Sequence, residues 1–161
     1  MSPSLKEDLR QVKAFTSLQH EAFLNVIRTS SRLTDALEDL LRPYGISATQ
    51  YNVLRILRGS GADGLCRNEV RDRMLTRMPD MTRLLDRMEE AGWVTRSRER
   101  EDRRMVLTRI TAAGRQLLQE LDAPVSELHR TQLERLTDEQ LRSLIDLLTL
   151  ARESGSGVGS G

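Results

Sequence analysis

The chain has 161 residues, 38% hydrophobic and 30% charged, with regularly spaced apolar positions, which excludes a collagen-like or wholly disordered polypeptide. Its formal net charge is only +1, so any attraction to a polyanion must come from local arrangement of charge. A single cysteine, Cys66, and two histidines, His20 and His129, exclude a disulfide framework and multi-cysteine zinc sites.

So few nucleophiles and metal ligands remain that no enzyme is expected and no cofactor is implied. The cationic residues are 23 arginines and 2 lysines, and arginine supplies planar, bidentate donors. No stretch approaches the roughly 18 apolar residues of a membrane span. The first ten residues carry both signs of charge and lack an apolar core, so no export signal is read and a cytoplasmic location is expected.

The first predicted element is a long helix over 15–41, with Phe15, Leu18, Phe23, Val26, Ile27, Leu33, Leu37, Leu40 and Leu41 at helical spacing. Pro43 and Gly45 stop it. At about 40 Å it is longer than one small core needs, so part of its apolar face is expected to pack on a second subunit. Ser47 and Gln50 read as a capping box opening a short helix with Tyr51, Val53, Leu54, Ile56 and Leu57, which ends near 59–61. The pair Leu65-Cys66 leads into a two-turn helix through Val70 and Met74. The next helix is predicted over 79–91, with Pro79 in its first turn and Gly92 just past its end. Met81, Leu84, Leu85 and Met88 form its apolar stripe.

The period then changes. Residues 93–96 and 105–110 are β-prone and predict a two-stranded hairpin with a charged tip. Thr111 is expected to cap a helix that buries Leu117, Leu118, Leu121, Val125 and Leu128, with Pro124 distorting it. A second capping box, Thr137 with Gln140, opens a last helix bearing Leu141, Leu144, Ile145, Leu148 and Ala151. The Gly/Ser-rich residues 154–161 are expected to form a flexible tail. Charge is uneven: residues 67–109 sum to +3 and residues 110–161 to −3.

Three short helices followed by a charged hairpin describe a winged helix-turn-helix, whose second helix enters the DNA major groove. Along the predicted helix over 79–91, Arg77, Arg83 and Arg87 come early, whereas Asp86, Glu89 and Glu90 come late. Insertion by the N-terminal end keeps the late carboxylates off the phosphates and aims the positive helix dipole at DNA. Arg83 is the candidate for a bidentate guanine contact, and Thr82 for a base edge or phosphate. Asp80 is read as accepting from cytosine or orienting Arg77. At the hairpin tip, Arg98, Arg100, Arg103 and Arg104 lie among Glu99, Glu101 and Asp102. An arginine there suits a narrow minor groove, where negative potential is enhanced.

These residues resemble the MarR-type transcriptional regulators. The likeness is carried by Thr82-Arg83-Leu84-Leu85-Asp86-Arg87-Met88-Glu89, Ala91-Gly92-Trp93-Val94 with Arg96, Asp102-Arg103-Arg104, and Ile110-Thr111-Ala112-Ala113-Gly114. The resemblance implies a mainly α fold with a small β wing, acting as a homodimer on a pseudo-palindromic operator. Residues 47–110 would form the DNA-binding part, and residues 4–45 and 111–153 the helical dimerisation part. It further implies that Arg104 goes to the minor groove with Asp102 bracing it, and that a small aromatic or phenolic effector releases a repressor. That effector would sit where the first two helices meet the winged unit, and His20, Arg28, Tyr51 and Arg55 are the polar candidates.

Two departures from the family pattern stand out. Cys66 occupies a helix-opening slot that usually holds Ser or Thr, which shifts phosphate contacts to Arg67 and Asn68. The segment Met78-Pro79-Asp80 differs from the corresponding start in better-known members, so the base-reading set differs. Two other readings stay open. One is a dimeric adaptor whose winged unit binds protein. The other is a redox-responsive regulator using Cys66, a thiol at a helix N-terminus beside Arg67.

Overall fold

The computed structural model describes residues 4–99, 102 and 104–155. Packing divides the chain into two compact units, Met1–Val125 and Ser126–Gly161, with the division inside one helix.

The first unit opens with an element that periodicity does not show. Four-residue α1 (Leu5–Asp8) is held by a Ser4–Glu7 capping box. Its Asp8 carboxylate accepts from Arg28 Nε at 3.1 Å and Arg32 Nη2 at 2.6 Å, both on α2 (Leu18–Leu41). Helix α2 starts three residues later than its apolar pattern suggests, because the Ser17 hydroxyl caps the His20 N–H and leaves Phe15 outside. It ends in a 3₁₀ turn, Arg42–Tyr44, and Gly45 follows at φ 70°, a left-handed conformation that suits glycine. Helix α3 (Ala48–Gly59) begins with the expected reciprocal cap. Gln50 N–H donates to Ser47 Oγ at 3.1 Å, and Ser47 N–H donates to Gln50 Oε1 at 3.0 Å.

Strand β1 (Leu65–Cys66) corrects the two-stranded expectation. It pairs antiparallel with β3 (Val106–Ile110), which in turn pairs with β2 (Val94–Arg98), giving a three-stranded sheet in the order β1-β3-β2. A two-residue strand has no readable period, and its pairing partner lies some forty residues away. Gly64, at φ 80°, makes the approach possible: a Cβ there would sit 2.7 Å from the Thr108 carbonyl oxygen. Helices α4 (Arg67–Asp72) and α5 (Met81–Glu90) fill the stretch between β1 and β2.

Helix α6 (Ala112–Gln132) stays helical through Pro124. Thr111 Oγ1 accepts from Gly114 N–H at 3.1 Å and donates to the Gly92 carbonyl at 2.7 Å, which caps α6 and ties it to the end of α5. Apolar side chains from every layer of the unit form one core, including Leu41, Leu54, Leu57, Val70, Leu85, Met88, Val94, Leu118 and Leu121. Arg58 on α3 adds a bidentate pair to Asp122 on α6, with both contacts at 2.8 Å.

In the second unit, Thr137 and Gln140 form the expected capping box at the start of α7 (Asp138–Gly155). The helix continues two residues beyond the predicted boundary at 153, and residues 156–161 of the expected tail lie outside the described residues. No helix among the described residues is long and apolar enough to cross a membrane.

Candidate nucleic-acid interface

Helix α4 starts where β1 ends, with Cys66 at its N-cap. The Cys66 N–H donates to Glu69 Oε2 at 2.8 Å, and this bond holds the Glu69 carboxyl below its usual range. Arg67 and Asn68 are therefore presented, exposed, at the first turn. Arg67 Nη1 donates to Thr82 Oγ1 at 3.0 Å, which joins the start of α4 to the start of α5.

The start of α5 differs from the prediction. Asp80 is the N-cap, its Oδ1 accepting from Arg83 N–H at 3.0 Å, so Pro79 lies outside the helix instead of in its first turn. The physical reason is that a carboxylate satisfies an orphan helix donor that proline cannot. Among the described residues Asp80 makes no ion pair with Arg77, and its carboxylate caps α5. Thr82, Arg83 and Arg87 are exposed on the outer face of α5, while Met81, Leu85 and Met88 are buried beneath.

Two of the late carboxylates, Asp86 and Glu89, have a partner that the sequence pattern alone does not assign. Arg96, on β2, places Nη2 at 2.5 Å from Asp86 Oδ1 and 3.0 Å from Glu89 Oε1. Its backbone N–H donates to Glu89 Oε2 at 2.8 Å. The Arg96 side-chain hydrogen bond holds the Glu89 carboxyl below its usual range. The signal is present in the sequence as acidic residues three apart on one helix followed by an arginine, but only the packing of α5 on β2 pairs them.

At the wing, Asp102 holds the residues that lead into β3. Its Oδ1 accepts from Arg104 N–H at 2.9 Å and its carbonyl accepts from Met105 N–H at 2.9 Å, while Glu99 N–H donates to the Met105 carbonyl at 2.9 Å. Among the described residues, Asp102 thus braces the Arg104 backbone, as an aspartate side chain can for an N–H two residues on. Arg104 is exposed. Arg100, Glu101 and Arg103 lie outside the described residues.

Between these parts runs a groove of about 490 Å³, lined by Arg67, Asn68, Thr82, Arg96 and Arg104 among others, with Cys66 on its wall. Three arginines thus border one concave surface between a helix tip and a wing.

A MarR family model matches residues 44–105, from the turn before α3 to the wing tip. The HTH-type transcriptional regulator PrsX of Escherichia coli is 30% identical over 108 residues, 67% of this chain; the chain spans 65% of the length of PrsX. A MarR transcription factor from Planctomyces limnophilus, known as a crystal structure, is 39% identical with a TM-score of 0.65 over 85% of this chain and 99% of that one. The chain belongs to the MarR family. A mutant MarR from Escherichia coli crystallised with operator DNA is 26% identical, with a TM-score of 0.72 over 78% of this chain and 89% of that one.

The four effector candidates, expected where the first two helices meet the winged unit, are not among the residues lining this groove. Tyr51 is buried, and its hydroxyl accepts from Arg55 Nη1 at 3.1 Å while the guanidinium carbon lies 5.9 Å from the ring centroid. His20 bonds Thr16 Oγ1 at 3.0 Å and meets Phe15 edge-on at 6.0 Å. Arg28 is paired with Asp8. Among the described residues, Tyr51 and Arg55 are the two of these four that contact each other, one turn apart on α3.

Proposed function

We propose that the chain is a DNA-binding transcriptional repressor that acts as a homodimer on a pseudo-palindromic operator. The observation that carries this reading is the groove. The α5 tip gives it exposed Thr82, with exposed Arg83 next in the helix, and the wing gives it exposed Arg104, while Asp86 and Glu89 are paired with Arg96. A polyanion meets donors and guanidiniums on both walls. In this reading residues 47–110 contact DNA, with Arg67 and Asn68 on phosphates, and Arg77, Arg83 and Arg87 around the major groove. Arg103 and Arg104 serve the wing.

Residues 4–45 and 111–153 supply the dimer. Exposed Phe23, Val26 and Ile27 on α2 and Ile145, Leu147 and Leu150 on α7 support that assignment. Release by a small aromatic or phenolic effector belongs to the same proposal and is supported by family membership, with Tyr51 and Arg55 as its first residues to test. Retardation of duplex DNA across a salt series tests the function. A steep linear fall of log affinity with log salt, about 0.9 per phosphate neutralised, is expected. Binding that ignores salt and favours proteins over DNA overturns it in favour of an adaptor.

A further inference from the structure

Arg96 borders the groove, yet its charge is engaged by two carboxylates of α5. One terminal nitrogen serves both Asp86 and Glu89, and the second Glu89 oxygen takes the Arg96 backbone N–H. The guanidinium holds this pose although its Nε is buried without a hydrogen-bond partner among the described residues. Asp86 and Glu89 are three apart, on adjoining turns of one face of α5. Arg96 lies on the strand that runs into the wing tip, opposite Thr108 on β3. Apolar contacts from Leu85 and Met88 are non-directional and tolerate small slides and rotations. Charge-assisted hydrogen bonds are directional, so a shift of α5 by one residue breaks all three contacts together.

We propose that Arg96 is a positioning residue that locks the DNA-reading helix α5 to the wing, so that it governs discrimination between DNA sequences rather than general attraction to phosphate. The inference rests on the DNA-binding reading above. It also assigns a purpose to acidic residues on a DNA-reading helix: Asp86 and Glu89 are the anchors by which the wing strand holds it.

The test compares the full chain with Arg96→Gln, Arg96→Lys and a double variant, Asp86→Asn with Glu89→Gln. Each is titrated against a duplex enriched from a random pool by the wild-type chain and against a scrambled duplex, over a salt series. Thermal melts confirm folding, and the double variant, built from isosteric amides, carries the test should Arg96→Gln fail to fold.

Arg96→Gln is expected to lower the enriched-to-scrambled preference about tenfold with an unchanged salt slope, and Arg96→Lys to recover part of it. The double variant is the sharper arm. Removing two negative charges raises affinity for the scrambled duplex, yet the preference falls. Equal gains on both duplexes overturn the proposal by showing that the carboxylates act only through repulsion. A parallel loss on both duplexes in Arg96→Gln, with the slope reduced by about one, overturns it by making Arg96 a phosphate contact. Failure of the wild-type chain to enrich any duplex removes the DNA-binding reading itself, a result distinct from either.

Discussion

Arg83 is exposed at the start of α5 and Arg104 is exposed where the wing borders the groove, and substitution separates their roles. Arg83→Ala is expected to relax preference at one base position by about 1–3 kcal/mol, measured by titrating single-base operator variants. Arg104→Ala is expected to weaken binding most where the flanks are A·T-rich, through loss of a minor-groove arginine. Unchanged affinities in both variants contradict these roles. Gly114 shows a different kind of residue-scale constraint. A Cβ at this position would lie 2.5 Å from the Trp93 carbonyl oxygen and 2.8 Å from Ile110 Cγ1, so α6 reaches the end of α5 and β3 only over a glycine. Gly114→Ala is expected to cost about 1–3 kcal/mol in urea denaturation, as overpacking does. The Thr111-x-x-Gly114 pattern was legible in the sequence. Its reason was not, because the clash is with a backbone twenty-one residues earlier.

Elements were readable wherever their signals were local. The boxes Ser47–Gln50 and Thr137–Gln140 opened helices where expected, and Gly92, at φ 78°, ended α5. The start of α5 was misread because proline and aspartate compete for adjacent positions, and capping decided for Asp80. Strand β1 was missed because a two-residue strand exists only through β3. The α5–β2 clamp was invisible for the same reason, being a contact between elements and not a property of either.

The clamp makes a pH prediction. The Arg96 hydrogen bond depresses the Glu89 carboxyl in the folded chain, so its contribution is fully present above the ordinary carboxylate range and is lost as pH falls through the depressed value. Melting temperature is therefore expected to be level above about pH 5 and to decline below about pH 4. Asp8, Glu69 and Asp122 are depressed by their own hydrogen bonds and share that decline, so the comparison that isolates the clamp is Glu89→Gln. Its acid limb should be shallower than that of the wild-type chain; parallel limbs contradict the clamp.

At the scale of the whole molecule, the account joins a surface for DNA with surfaces that a single chain leaves uncovered. Phe23 is 62% exposed on α2, and Ile145 and Leu147 are 62% and 65% exposed on α7. Burying such side chains stabilises association by about 1.5–3 kcal/mol each, so sedimentation is expected to give a dimer, and Ile145→Glu a weakened one. A wild-type monomer contradicts this. A dimer carries two α5 tips and two wings, and two-fold symmetry then dictates what a duplex must show. Hydroxyl-radical footprinting on a duplex selected by the chain tests that most directly. Two protected stretches on one face, centred about 10–11 base pairs apart, with flanking protection that disappears in Arg104→Ala, are the predicted result. A single unpaired stretch, or no protection at low salt, would contradict it.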